Sequence, residues 1–132
     1  MRISCKYVGK YISANLEDEL CILYNIPDKS KSIAFEALAA CAEKNFKIVV
    51  INWKNYDNFD MNWLCSLTSD DIVVFDNADL YIDKVSMPEN IAARKVIMCM
   101  RLPMYIAGKD ARLYTVVNVD GNIEIKRRAV KL

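Results

Sequence analysis

The chain opens on two alternating stretches. Within 2–8, Ile3, Cys5 and Tyr7 alternate with Ser4 and Lys6, the period of a strand with one buried face. Residues 11–16 form a second such stretch. Gly9-Lys10 between them suits a two-residue type II′ hairpin turn with glycine first. Residues 20–24 are a continuous apolar run, as expected of a strand covered on both faces. A polar segment with Pro27 follows. Ile33, Ala37, Leu38 and Cys41 then fall on one stripe, which predicts a helix over 33–44.

The second half repeats the pattern. KIVVIN at 47–52 and DIVVFD at 71–76 read as buried strands, separated by an irregular stretch at 53–69 with a short helix over 61–67. Pro88 suits the first residue of a helix running to about 100. Residues 103–107 read as a fourth apolar strand. Residues 114–119 and 122–126 pair across Asp120-Gly121, a strong hairpin signal. Apolar strands alternating with helices predict an α/β fold. The expectation is one domain over 1–132, three layers deep, with a mixed sheet whose central strands are parallel and antiparallel hairpins at both ends.

Composition narrows the function. With 132 residues, 54% of them hydrophobic and 27% charged, the chain can bury a core. The net charge of +1 supplies no field to draw nucleic acid or an anionic membrane. Charge is uneven, however. Seven acidic residues and no lysine or arginine lie between Asp57 and Asp83, and six basic against three acidic ones lie from Lys109 to Leu132. Such polarity suits either two solvated surfaces or a face that docks a protein partner.

Histidine is absent, which excludes serine–histidine and cysteine–histidine catalytic pairs. Cys5, Cys21, Cys41, Cys65 and Cys99 show no ligand spacing for zinc. Among apolar neighbours they read as reduced thiols of a cytoplasmic protein. The opening segment lacks the apolar core of a signal peptide, and no apolar run nears the ~20 residues of a membrane helix.

The chemistry-bearing segment follows the first buried strand. Residues 25–32, NIPDKSKS, lead into the helix with the length and ending of the phosphate loop G-x-x-x-x-G-K-[ST]. Lys31 and Ser32 match its last two positions, and Asn25 and Ser30 stand where its glycines belong. Asp76 ends an apolar strand 44 residues after Ser32, and is followed by Asn77-Ala78-Asp79-Leu80. In these features the chain resembles P-loop NTPases, with ABC-, RecF- or AAA-like ATPase cores the nearest in kind.

The resemblance implies ATP or GTP with Mg²⁺ as ligand. Lys31 would then meet the β/γ-phosphates, and Ser32 and Asp76 would hold the metal. Asn77 stands where many such ATPases carry a catalytic glutamate. Side chains at Asn25 and Ser30 crowd the phosphate path, and Asp28 repels it. The expected function is therefore a degenerate, non-catalytic interaction or regulatory module. A weak nucleoside triphosphatase and an accessory of a nucleic-acid machine are the alternatives.

Two further clusters stand out. Trp53, Tyr56, Phe59 and Trp63 are interleaved with asparagines. They suit a core-covering loop or a partner-binding surface better than a nucleobase platform, since the segment is acidic. Lys126, Arg127, Arg128 and Lys131 read as a charged, solvated edge strand. Lys109 and Arg112 are placed to neutralise phosphates at the predicted loop.

Overall fold

Strands dominate. The computed structural model describes residues 2–7, 9–18, 20–24, 26–42, 46–84, 95–101 and 111–131. The elements are β1 (Arg2–Tyr7), β2 (Lys10–Asn15), β3 (Leu20–Tyr24), α1 (Asp28–Ala42), β4 (Lys47–Ile51), α2 (Met61–Cys65), β5 (Asp71–Phe75), β6 (Lys95–Met100), β7 (Ala111–Val119) and β8 (Asn122–Lys131). All eight strands join one sheet in the order β1-β2-β8-β7-β3-β6-β5-β4. The β1–β2 and β7–β8 pairs are antiparallel, and every other pair in that order is parallel.

The sheet curls into a half-barrel. Helix α1 lies in the concavity and touches β1, β2 and β7 as well as β4. Alternation along each strand sends side chains to opposite faces. Cys21 and Leu23 of β3 thus join Ile72, Val74, Ile97, Ala34, Ala37 and Leu38 inside. Leu20 and Ile22 join Val73, Phe75, Met98, Leu64 and Tyr81 on the convex side. Both faces of the central strands are covered, which is why those strands are continuous apolar runs.

The three-layer α/β expectation is overturned. The described residues are mostly β with one long helix, unlike an α/β P-loop NTPase. The reason lies in the crossovers on the convex side. Between β4 and β5 the chain forms a 3-10 turn over Tyr56–Asn58 and the five-residue α2. After β5 it forms two more 3-10 turns, Ala78–Leu80 and Ile82–Lys84. Short polar side chains there take the backbone groups a helix would use. The Asn52 Oδ1 accepts from the Lys54 and Asn55 N–H groups, and the Asn55 Oδ1 accepts from the Asn52 N–H.

Other expectations shift too. The described part of the helix expected over 88–100 is strand β6, whose Val96, Ile97, Met98, Cys99 and Met100 are all buried. A strand wins because the run is apolar on both faces. Residues 88–94, the expected strand at 103–107 and Lys109 lie outside the described residues. Helix α1 begins at Asp28, five residues before the first residue of the apolar stripe. The basic tail is β8, which is not an edge strand: it pairs with β7 along its length and with β2 through Ile123–Ile125. The expected Gly9-Lys10 turn shifts, since Lys10 already pairs with Tyr7, and Gly9 has φ 72°. At the second, Asp120 and Gly121 both have positive φ, 53° and 82°, as a type I′ turn requires.

The cysteine reading also changes. Cys5 of β1 and Cys41 of α1 are disulfide-bonded, with Cα atoms 6.2 Å apart, while Cys21, Cys65 and Cys99 are free. The pair is 36 residues apart in sequence, and only the curl of the sheet around α1 brings it together. Among the described residues no helix is long and apolar enough to cross a membrane.

Candidate functional site

The expected site residues converge only in part. The chain leaves β3 at Tyr24 and enters α1 at Asp28, and the Lys31 N–H already donates to the Pro27 carbonyl at 3.1 Å. Ser30, Lys31 and Ser32 therefore belong to the opening turns of a helix rather than to a wrapping loop. Lys31 points inward and is 5% exposed. Ser32 is exposed and Ser30 half-buried. Asn25 lies outside the described residues.

Strand β5 delivers the partners of Lys31. Its ammonium donates to Asp76 Oδ1 at 3.0 Å and to Asn77 Oδ1 at 2.9 Å. The side chains of Lys31 and Asp76 are 7% and 27% exposed. Asn77 reaches inward because its backbone is left-handed, φ 50° and ψ 48°, a conformation asparagine adopts at low cost. The turn is fixed from below. The Asp76 N–H donates to the Ile51 carbonyl at 2.8 Å, and the Tyr81 hydroxyl lies 2.8 Å from both the Ile51 and Asp76 carbonyl oxygens. Burial, with the Asp76 charge adding to it, pushes the Tyr81 phenol well above its usual range, so it stays a donor. Burial likewise raises the neighbouring Cys99 thiol, again with help from Asp76, and removes it as a nucleophile.

Above this tie opens a crevice of about 510 Å³ lined by Leu23, Ile26, Pro27, Lys31, Asn77, Met100 and Arg101. It sits past the carboxyl ends of β3 and β6. From β3 the chain proceeds to β4 at one side of the sheet, and from β6 to β7 at the other. Ligand crevices of open sheets lie at this end of the strands. Its charge is largely internal, however. Lys31 and Asp76 neutralise each other, and Arg101 is the exposed cation at the rim. Ser30 and Ser32 are not among the described lining residues, and no group of three potential metal ligands occurs among the described residues.

The second cluster is aromatic. Tyr81 stacks on Tyr56 with centroids 5.1 Å apart, and Tyr56 stacks on Trp53 at 5.6 Å. The Lys84 ammonium caps the outer ring, 5.0 Å from the Trp53 centroid. The ladder runs from a fully buried ring to one that is 50% exposed, and Leu80, beside Tyr81 in the chain, is 55% exposed. Phe59 and Trp63 pack edge to face at 4.5 Å and cover the convex core. The asparagine-interleaved aromatics thus both cover the core and present a surface.

One network left no local trace in the sequence. The Tyr114 hydroxyl donates to Asp18 Oδ2 at 2.8 Å and accepts from the Glu17 N–H at 3.0 Å. Arg127 lies within ion-pair distance of Glu17 and Asp18. These contacts join the link between β2 and β3 to β7 and β8 across about a hundred residues of chain. That connection gives Arg127 a place in the fold. Compared with protein families, with characterised proteins and with solved structures, the chain matches none.

Proposed function

We propose that the protein is a non-catalytic interaction module that docks a partner protein through the face built on Trp53 and Leu80. The observation that carries this reading is the exposed end of the Trp53–Tyr56–Tyr81 ladder. An indole clamped between a stacked ring and an ammonium is already ordered, so binding loses little of its freedom. Tryptophan anchors of this kind dominate protein interfaces. Asp57, Asp79 and Asp83 lie in the same turns, so the fitting partner offers an apolar anchor flanked by basic residues. The crevice argues in the same direction. An anion entering it would compete with Asp76 and Asn77 for the Lys31 ammonium.

The test is affinity capture with the parent chain and with a Trp53→Ala/Leu80→Ser double variant, both confirmed folded by circular dichroism. A specific partner should be enriched by the parent and weakened more than tenfold by the variant, as loss of a hot spot costing at least ~2 kcal/mol requires. A partner set unchanged between the two would refute the assignment of this face.

A further inference from the structure

Strand β1 is one of the two edge strands, and among the described residues it pairs with β2 alone. Strand β2 is held in turn by a three-residue parallel register, Ile12–Ala14 against Ile123–Ile125. The N-terminal hairpin therefore joins the rest of the sheet through this short register. Its inward face carries Ile3 and Cys5. Cys41 lies on the α1 stripe formed by Ala34, Ala37 and Leu38. The disulfide ties this hairpin to the end of the helix around which the whole sheet curls, and its Cα separation of 6.2 Å lies within the normal span.

We propose that Cys5 and Cys41 form a reversible thiol–disulfide exchange site, closed by small disulfides of the glutathione class and opened by the corresponding thiols. Both residues are only partly buried, so a small thiol can reach the pair at the sheet margin. The remaining cysteines are poor competitors. Cys21 is buried and its thiol is pushed up to about 11, and Cys99 is buried deeper and raised further, so both carry little thiolate near neutral pH. Cys65 is exposed, but it belongs to α2, whose Leu64 packs on the convex side, opposite the concave face that holds the pair.

The exchange balances. A thiolate RS⁻ attacks one sulfur of the pair, the Sγ–Sγ bond breaks, and a mixed RS–Sγ bond forms. The displaced cysteine leaves as thiolate and takes a proton from water. A second thiol attacks the mixed disulfide, releasing RSSR and the second cysteine thiol. The protein gains two electrons and two protons, and two RSH become RSSR. Closing is the reverse.

The experiment uses the full chain equilibrated in glutathione buffers from fully reduced to fully oxidised. Each sample is acid-quenched, alkylated under denaturing conditions and mapped by mass spectrometry. The closed form should show three alkylated cysteines and a linked Cys5–Cys41 peptide pair, and the open form five alkylated cysteines. The melting midpoint should fall by about 10 °C on opening, the scale expected when a loop of this length is released. Cys5→Ser should melt at the open-form midpoint in every buffer. Three results overturn the proposal: no Cys5–Cys41 linkage in oxidised buffer, a linkage that survives fully reduced glutathione, or Cys65 crosslinks forming in its place. The alkylation map of the parent chain decides even if the variant does not fold.

Discussion

The tie between Lys31, Asp76 and Asn77 makes a quantitative claim, best tested by Lys31→Met. Methionine keeps the length of the stem and removes the ammonium. Asp76 and Asn77 then lose their donor. Breaking a fully buried ion pair by deleting one partner costs about 3–5 kcal/mol. Here Asp76 retains 27% exposure, so water can reach its carboxylate and the loss should shrink to roughly 1–3 kcal/mol. Against a total stability of about 5–15 kcal/mol that is a large fraction, visible as a shift of several degrees in melting midpoint. The assay is a double-mutant cycle of Lys31→Met, Asp76→Asn and the pair, by urea denaturation followed by circular dichroism. The coupling energy should be about 1–3 kcal/mol, with the double variant less destabilised than the sum of the singles. A Lys31→Met loss below about 0.5 kcal/mol, or a coupling near zero, would refute the claim that Lys31 is spent on the fold. Turnover of ATP above a protein-free control that vanishes in Lys31→Met would refute it from the other side.

Alkaline pH should weaken the fold from about pH 9 upward. Burial raises the Cys21 thiol from 9.0 to about 11, so its stabilisation is full below pH 9, where the unfolded thiol also keeps its proton, and is lost as the pH rises towards 11. The urea midpoint of the parent should decline over pH 9–10 and that of Cys21→Ala should stay flatter; equal slopes would exclude Cys21 as the source. Asn55→Ala should promote self-association. Its side-chain amide donates to the Val50 carbonyl and its Oδ1 accepts from the Asn52 N–H, which blunts the open edge of β4. Sedimentation of the variant as a monomer at high concentration would contradict that role. Gly121→Ala should cost about 1 kcal/mol because φ is 82°, even though the added carbon meets Lys10 side-chain atoms no closer than 3.6 Å; an unchanged thermal midpoint would count against a type I′ turn.

Much of the strand content was legible because it rests on local burial. The runs at 20–24 and 71–75 are strands because nearly every side chain in them leaves water, whichever face it points to, and the run at 47–51 follows them at the edge of the sheet with only Ile51 fully buried. The layer architecture was not legible. An apolar run such as KVIMCM at 95–100 satisfies a buried helix or a buried strand equally, and Pro88 upstream tipped the reading to helix. The crossover at 52–70, expected to be irregular with a short helix, is so. Its asparagines mark turns by side-chain chemistry, and that chemistry, rather than any apolar period, denies the convex face a second long helix.

The candidate site divides along the same line. Pairing Lys31 with Asp76 needs two facts of different range. The helical period places Lys31 among the inward residues Ala34 and Leu38 of α1, and that is local. The end of β5 must also stand beside β3 with only β6 between them, and that is topology. The motif read as a string puts Lys31, Ser32 and Asp76 together; Lys31 and Asp76 meet, and Ser32 faces solvent. It does not specify what they do there. At 3.0 Å the ammonium and the carboxylate are paired directly with each other. The left-handed Asn77 favours this pairing. Its amide oxygen accepts a second proton of the same ammonium, so two β5-end acceptors rather than one hold the lysine in place. A ligand entering the crevice would have to displace both, whereas the half-exposed Trp53 ring and Leu80 offer apolar surface at which no buried ion pair has to be broken.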